Sequence, residues 1–329
     1  MNKFIYSLIM LVPQILLAQS YPPPPAYPGS TAIHMDSSIF IAWAATIEVQ
    51  RGYVFIDDTS FMVNNSPYAT FGISDYALGN ATGDPTDVVS LGDGGSAILT
   101  FDVPISNGPG FDFAVFENSF DDTYLEFAFV EVSSDGINYV RFPNHSEVQN
   151  FVQIHGFGST DTRRINNLAG KYRVGFGTPF DLEELKDSLA INVNNVTHIK
   201  IVDVIGSIGE NCSYDSFGNK INDPFSTPYE SGGFDLEAVG IINNLLNSQV
   251  IVNQPLQIYP NPTSKLLYIS KDDLYPLKIW ILGSAGEIVL ETTLSSKKSE
   301  LNLSLATGLY QLQYLLNNQF YSSKIVIQN

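Results

Sequence analysis

One cysteine, Cys212, stands in 329 residues. No intrachain disulfide can form, so the fold must rest on its apolar core. Basic residues are also scarce: 16 Lys and Arg against 34 Asp and Glu, a formal charge of −18. The shortage is local. Residues 20–249 carry nine Lys/Arg and 29 acids, while residues 250–329 carry six Lys and five acids. So acidic a segment repels phosphate backbones and anionic lipid, which argues against nucleic acid or membrane as partners. It leaves cations, neutral ligands such as glycans, or simple solubility. Beyond the N-terminus no apolar run is long enough to span a bilayer. The four histidines, His34, His145, His155 and His198, are scattered. No His-Glu-x-x-His, no Gly-x-Ser-x-Gly and no glycine-rich phosphate loop occurs. Cys212 has no catalytic context and reads as a packed thiol. With so many acids, carboxylate pairs such as Asp121/Asp122 arise by number alone. The chain is therefore read as a non-enzyme, with a hydrolase using an unrecognised carboxylate pair as an alternative.

What the sequence does contain is aromatic, turn-rich and apolar. Tyr and Phe number 17 and 21, with 25 Gly and 18 Pro, a mix that favours β-structure. Residues 1–18 have the form of a secretory signal: Lys3, then an apolar run from Phe4 to Leu17, and a cut after Ala18. No cysteine follows it, so no lipid anchor is expected. Residues 19–28, with Pro22–Pro25 and Pro28, predict a stiff extended leader. Residues 29–243 are expected to form a jelly-roll-like β-sandwich with one or two short helices. One helix is expected through Ile39–Val49, capped by Asp36 or Ser37, and a second at Asp181-Leu-Glu-Glu184. Strands are expected at Ala97–Val103, Asp112–Glu117, Glu126–Ser133, Tyr139–Phe142, Tyr172–Phe176, Val196–Val204 and Gly233–Ile241, with a hairpin turn at Ser134-Asp-Gly136. Residues 244–255 read as a linker, and 256–329 as a small antiparallel β-sandwich.

The two-residue pleat picks out unusual acids. Glu117 continues the apolar face of Phe113 and Val115, and Asp203 that of Ile199 and Ile201, so each needs a partner to ionise. Asp235 and Glu237 fall two apart on one face. The loop Asp215-Ser-Phe-Gly-Asn-Lys-Ile-Asn-Asp223 offers oxygen ligands that suit Ca²⁺, or alternatively Asx turns that cap their own backbone. Candidate ligands for a structural calcium are Glu117, Asn118, Asp203, Asp215, Asp223, Asp235 and Glu237. Tyr124, Phe157, Phe225 and Tyr229 fall in loops, where sandwich folds grip ligands, and are the candidate ligand-binding rings.

Two resemblances follow from motifs. Tyr259-Pro260-Asn261-Pro262, Leu305-Ala-Thr-Gly308-Leu-Tyr310 and Lys324-Ile-Val-Ile327 resemble the type A C-terminal sorting domain of the Bacteroidetes type IX secretion system. That resemblance implies recognition by the secretion machinery, passage across the outer membrane, and release or surface attachment. Upstream, Val89-Ser-Leu-Gly-Asp-Gly-Gly95, Asn107-Gly-Pro-Gly-Phe-Asp-Phe113, Val115-Phe-Glu-Asn118 and Ser231-Gly-Gly-Phe-Asp-Leu-Glu-Ala-Val-Gly240 resemble bacterial cell-surface proteins with a jelly-roll core like that of carbohydrate-binding modules. The second resemblance implies a non-catalytic binding protein for a glycan. Its alternatives are capture of cobalamin or another nutrient with an outer-membrane receptor, or a structural, adhesive role.

Overall fold

The computed structural model describes residues 21–244, 256–271, 276–283, 288–316 and 319–328. The expected signal, residues 1–18, and nearly all of the expected linker lie outside them. The chain divides into two compact units, residues 1–249 and 250–329.

In the first unit the strands are β1 Ile33–His34, β2 Ala42–Trp43, β3 Thr46–Gln50, β4 Val89–Ser90, β5 Ser96–Ile105, β6 Phe113–Glu117 and β7 Ala128–Ser133. They continue as β8 Val140–Arg141, β9 His145–Ser146, β10 Ile165–Asn166, β11 Phe176–Phe180, β12 Val196–Asp203 and β13 Asp235–Ile241. One sheet runs β1-β11-β6-β13-β2, with β4 also on β13; the other runs β3-β5-β12-β7-β8. Every pairing in them is antiparallel. The core lies between the two sheets. Phe113, Val115, Leu236, Val239 and Ile241 of the first meet Ala97, Leu99, Val130, Val132, Ile199 and Ile201 of the second. In β5, β6, β7 and β12 these residues alternate along the strand, as a half-buried pleat requires; in β13 a bulge lengthens the step from Leu236 to Val239. The expected all-β sandwich is therefore present.

Three expectations are corrected. No helix covers Ile39–Val49; residues 42–43 and 46–50 are strands instead. In Thr46-Ile-Glu-Val-Gln50, Ile47 and Val49 point inward and their neighbours outward, a period of two that the β-branched side chains favour. The strand expected at Tyr172–Phe176 begins only at Phe176. Phe176 N–H closes a turn onto the Arg173 carbonyl, with Gly175 at φ +80°. The proline stretch is not extended either. Tyr27 N–H bonds the Pro24 carbonyl, Ser30 N–H bonds that of Tyr27, and Pro24 and Pro25 are buried. The second expected helix survives as one 3₁₀ turn, Leu182–Leu185, with the Asp181 carboxylate accepting from Glu183 N–H.

The second unit is a smaller sandwich. Its strands are β14 Leu256–Tyr259, β15 Leu266–Lys271, β16 Leu277–Leu282, β17 Ile288–Leu294, β18 Lys298–Asn302, β19 Gly308–Leu316 and β20 Gln319–Ile327. They form sheets β14-β15-β18 and β17-β16-β19-β20 around Leu267, Ile269, Ile279, Ile281, Leu312, Tyr314 and Ile325.

Candidate functional site

The pleat that buries the core also delivers carboxylates to one end of it. Glu117 ends β6, Asp203 ends β12 and Asp235 opens β13. Leading into and along β7, Leu125, Phe127 and Phe129 pack into one cluster while Ala128, Val130 and Val132 pack into the inter-sheet core. Glu126 continues the second alternation and so turns toward the other acids. Asp93 and Asp223 arrive from loops. All six are at least nine-tenths buried.

Burial drives their protonation upward. Glu117 and Glu126 sit well above the ordinary glutamate range, and Asp203 and Asp223 well above that of aspartate, each chiefly through desolvation. Asp235 is raised to about 7 and Asp93 to about 6 by the same cause. Mutual repulsion adds to it: Glu126 feels Asp235, Glu117, Asp223 and Asp203.

Most of these acids are occupied. Asp203 accepts from Phe234 N–H at 2.7 Å and Gly94 N–H at 2.9 Å, tying β12 to the chain entering β13. Asp223 accepts from Phe127 N–H, and Asp93 from Ile56 N–H. Glu117 accepts from the backbone N–H and hydroxyl of Ser119. Asp235 accepts from the Ser90 hydroxyl and from Asn118 Nδ2, which also reaches the Pro85 carbonyl. The cation Arg51 donates to the carbonyls of Phe71, Gly72 and Ser90 and offsets part of the charge on Asp235. Glu126 differs: among the described residues none donates a hydrogen bond to its carboxylate, and every influence on it disfavours the charged form.

Above these acids opens a cleft of about 400 Å³. Asn118, Glu126 and Asp235 line its polar part; Phe71, Phe120, Tyr124, Phe157 and Tyr229 supply its walls. Tyr124 and Phe157 lie nearly parallel with centroids 6.4 Å apart, and Tyr229 continues the row 6.1 Å from Phe157. Phe120 is 71% and Phe157 70% exposed. These large rings are left in water, which makes the cleft wall an exposed apolar patch.

Three of the four expected ligand-binding rings thus share one cleft with two of the expected metal ligands. Phe225 is elsewhere, beside Phe55. The remaining acids separate. Asp215 accepts from the N–H groups of Ser146, Phe217 and Asn219, and these bonds outweigh burial and hold it below the usual carboxylate range. It caps its own loop. Glu237 does not lie beside Asp235. A bulge between Leu236 and Ala238 breaks the alternation, and Glu237 accepts from Thr82 and Gly83 N–H instead. Among the described residues no three His, Cys, Asp or Glu side chains converge as a metal's ligands would. Glu126 and Arg51 are absent from the acids and cations that the sequence pattern singles out. Glu126 was nonetheless visible, since it heads the alternation Glu126, Ala128, Val130, Val132.

In the second unit, three motif blocks distant in sequence come together. Asn261 Nδ2 donates to the Lys324 carbonyl at 2.7 Å, and Val326 N–H donates to Asn261 Oδ1 at 2.9 Å. Tyr310 and Lys324 line one groove of about 430 Å³ with Leu309, Gln311 and Ser322. Gly308 opens β19, and the Tyr310 hydroxyl donates to the Ala306 carbonyl. Tyr259 stacks on Tyr268 at 5.8 Å; Pro260 and Pro262 flank Asn261 on either side. Residues 257–328 match the family described as the secretion system C-terminal sorting domain. This unit is a sorting domain. It marks the protein for secretion and surface association, and as a substrate of the type IX machinery. Among the described residues no helix is long and apolar enough to cross a membrane.

No curated protein matches the chain. Among solved structures it is similar to the BSP domain of a biofilm associated protein, at 13% identity over 71% of this chain and 48% of that one, with a TM-score of 0.18. It is also similar to the β-glucuronidase of Ruminococcus gnavus in complex with uronic isofagomine, at 11% identity over 75% of this chain and 36% of that one, with a TM-score of 0.19. The chain spans less than half the length of both. Likeness at this level bears on neither activity nor ligand.

Proposed function

We propose that this protein is a secreted or surface-attached, non-catalytic binding protein whose first unit holds a glycan in the aromatic cleft. One observation supports it above the rest: the exposed rings of Phe157 and Tyr229 line the same cleft as Glu126 and Asp235. Sugar rings present C–H faces that stack on aromatic rings and hydroxyls that donate to carboxylates, so both halves of the cleft have a use.

Soluble oligosaccharides are expected to raise the melting temperature of the full chain, further with each increase in concentration, because only native-state binding does so. Phe157→Ala should weaken that binding about tenfold, the worth of one stacked ring, while leaving the melting temperature of the free protein unchanged. Running each sugar with calcium and with chelator separates metal-dependent binding. A panel of glycans that leaves the melting temperature unmoved would remove this reading. Appearance of new reducing ends would replace it by the hydrolase.

The sorting domain makes a second expectation. Deletion of residues 257–329 should leave the protein inside the cell envelope, seen by immunoblot of surface and envelope fractions. Undiminished surface protein would show that the address lies elsewhere.

A further inference from the structure

Glu126 is 7% exposed, and that exposure faces the cleft. Its backbone is firmly placed. Phe127 N–H is held by Asp223, and Gly170 passes so close to the Glu126 carbonyl that a Cβ there would sit 1.8 Å from it. The backbone that carries the carboxylate is therefore fixed beside the cleft, yet no described residue donates to the carboxylate itself. Its charged neighbours are Glu117 from β6, Asp203 from β12, Asp235 from β13 and the loop acid Asp223; the Tyr124 hydroxyl lies in the same field, and Arg51 is engaged with three carbonyls. What such a site lacks is a positive hydrogen-bond donor.

The walls decide which kind. A divalent metal needs six or more oxygens, or an equivalent dense set; here carbon faces dominate, and among the described residues no three acidic, His or Cys side chains are arranged as a metal's ligands. An organic ammonium fits both parts. Its N–H groups donate to a carboxylate, and its charge and adjoining C–H groups are attracted to ring faces. We propose that the cleft seats a protonated amine of its ligand on Glu126, against the rings of Tyr124, Phe157 and Tyr229, which makes the ligand an amino sugar with a free ammonium group. This rests on the glycan reading above and names the class of glycan. Seating the ammonium pairs it with carboxylate in the charged form, so a proton held by the cluster leaves as the ligand arrives.

The test is isothermal titration of the full chain near pH 7 with three tetrasaccharides: glucosamine, N-acetylglucosamine and glucose, all β-1,4-linked. The glucosamine oligomer should bind at least tenfold more tightly than the other two. Glu126→Gln should erase that preference, whereas Asp102→Asn, which removes an exposed charge away from the cleft, should keep it. Equal binding of all three sugars, or a preference that persists in Glu126→Gln, overturns the ammonium seat and leaves the glycan reading standing. A preference that falls equally in Asp102→Asn reduces it to general attraction by an acidic protein and also overturns it. Binding of tetramethylammonium or spermidine that depends on Glu126, with no sugar bound, keeps the seat and removes the glycan. Because the wild-type protein alone discriminates between the sugars, failure of Glu126→Gln to fold would not protect the proposal.

Discussion

The protein is expected to melt at its highest temperature near pH 4–5, and at a clearly lower one by pH 8. Asp93, Asp112 and Asp235 are raised to about 6, about 6 and about 7, each chiefly by burial. In the unfolded chain an aspartate loses its proton near pH 3.9. Between that value and the folded one, the folded chain holds protons that the unfolded chain has released, so stability falls as pH rises through the window. Glu117, Glu126, Asp203 and Asp223 shift the same way. Even one unit retained at each of the first three amounts to about 4 kcal/mol, or roughly 10 °C for a domain of this size. Lys171 opposes this at higher pH. Burial lowers it to about 7, so between there and its ordinary value its contribution improves as pH rises. On the acid side, Asp58, Asp84, Asp121 and Asp135 cap turns through backbone N–H groups and are held below the ordinary value. Their contribution is present above about pH 4 and is lost as pH falls. A scan of melting temperature from pH 3 to pH 9 checks the shape. A flat profile, or one rising from pH 5 to 8, would mean that the cluster is not desolvated.

The second large effect is expected at Asp203. Its two oxygens satisfy Phe234 N–H and Gly94 N–H, and it is 3% exposed. Asp203→Ala leaves both donors buried and unpaired, at about 1–3 kcal/mol each, which is roughly 5–15 °C of melting temperature. Asp203→Asn retains one acceptor oxygen, so it satisfies one of the two N–H groups and should melt between Asp203→Ala and wild type near neutral pH. Loss of stability on removing this acid is thus expected with no metal involved. The ordering Ala well below Asn, unchanged by chelator, is the signature. Wild-type melting of Asp203→Ala would show that the bonds at the sheet ends contribute nothing, and a chelator-sensitive wild type would restore calcium as the reason for these acids.

The sandwich was legible because burial is written at a period of two in most strands, and clearest in β12, where Ile199, Ile201 and Asp203 share the core face. The errors have local causes. Residues 39–49 carry no strong turn residue, and their apolar spacing also suits a helix; the short strands β2 and β3 owe their form to partners far away, β13 and β5. Gly175 moved the start of β11 through a backbone conformation that sequence spacing does not display. Asp235 and Glu237 looked like a pair because an unbroken pleat was assumed, and the bulge sends them to different neighbours. The cleft was legible only in pieces. The rings of Tyr124, Phe157 and Tyr229 and the acids Glu126 and Asp235 come from three separated segments, and only the folded chain shows that they share one space.

Asn261 gives the sorting domain a bearing on timing. Its side chain clamps backbone atoms of Lys324 and Val326, more than sixty residues on, and Lys324 shares its groove with Tyr310. A chain still emerging, or clipped before β20, would own the Tyr-Pro-Asn-Pro letters and lack the surface they help to build. Completion of β20 is thus a structural condition for the arrangement at Asn261.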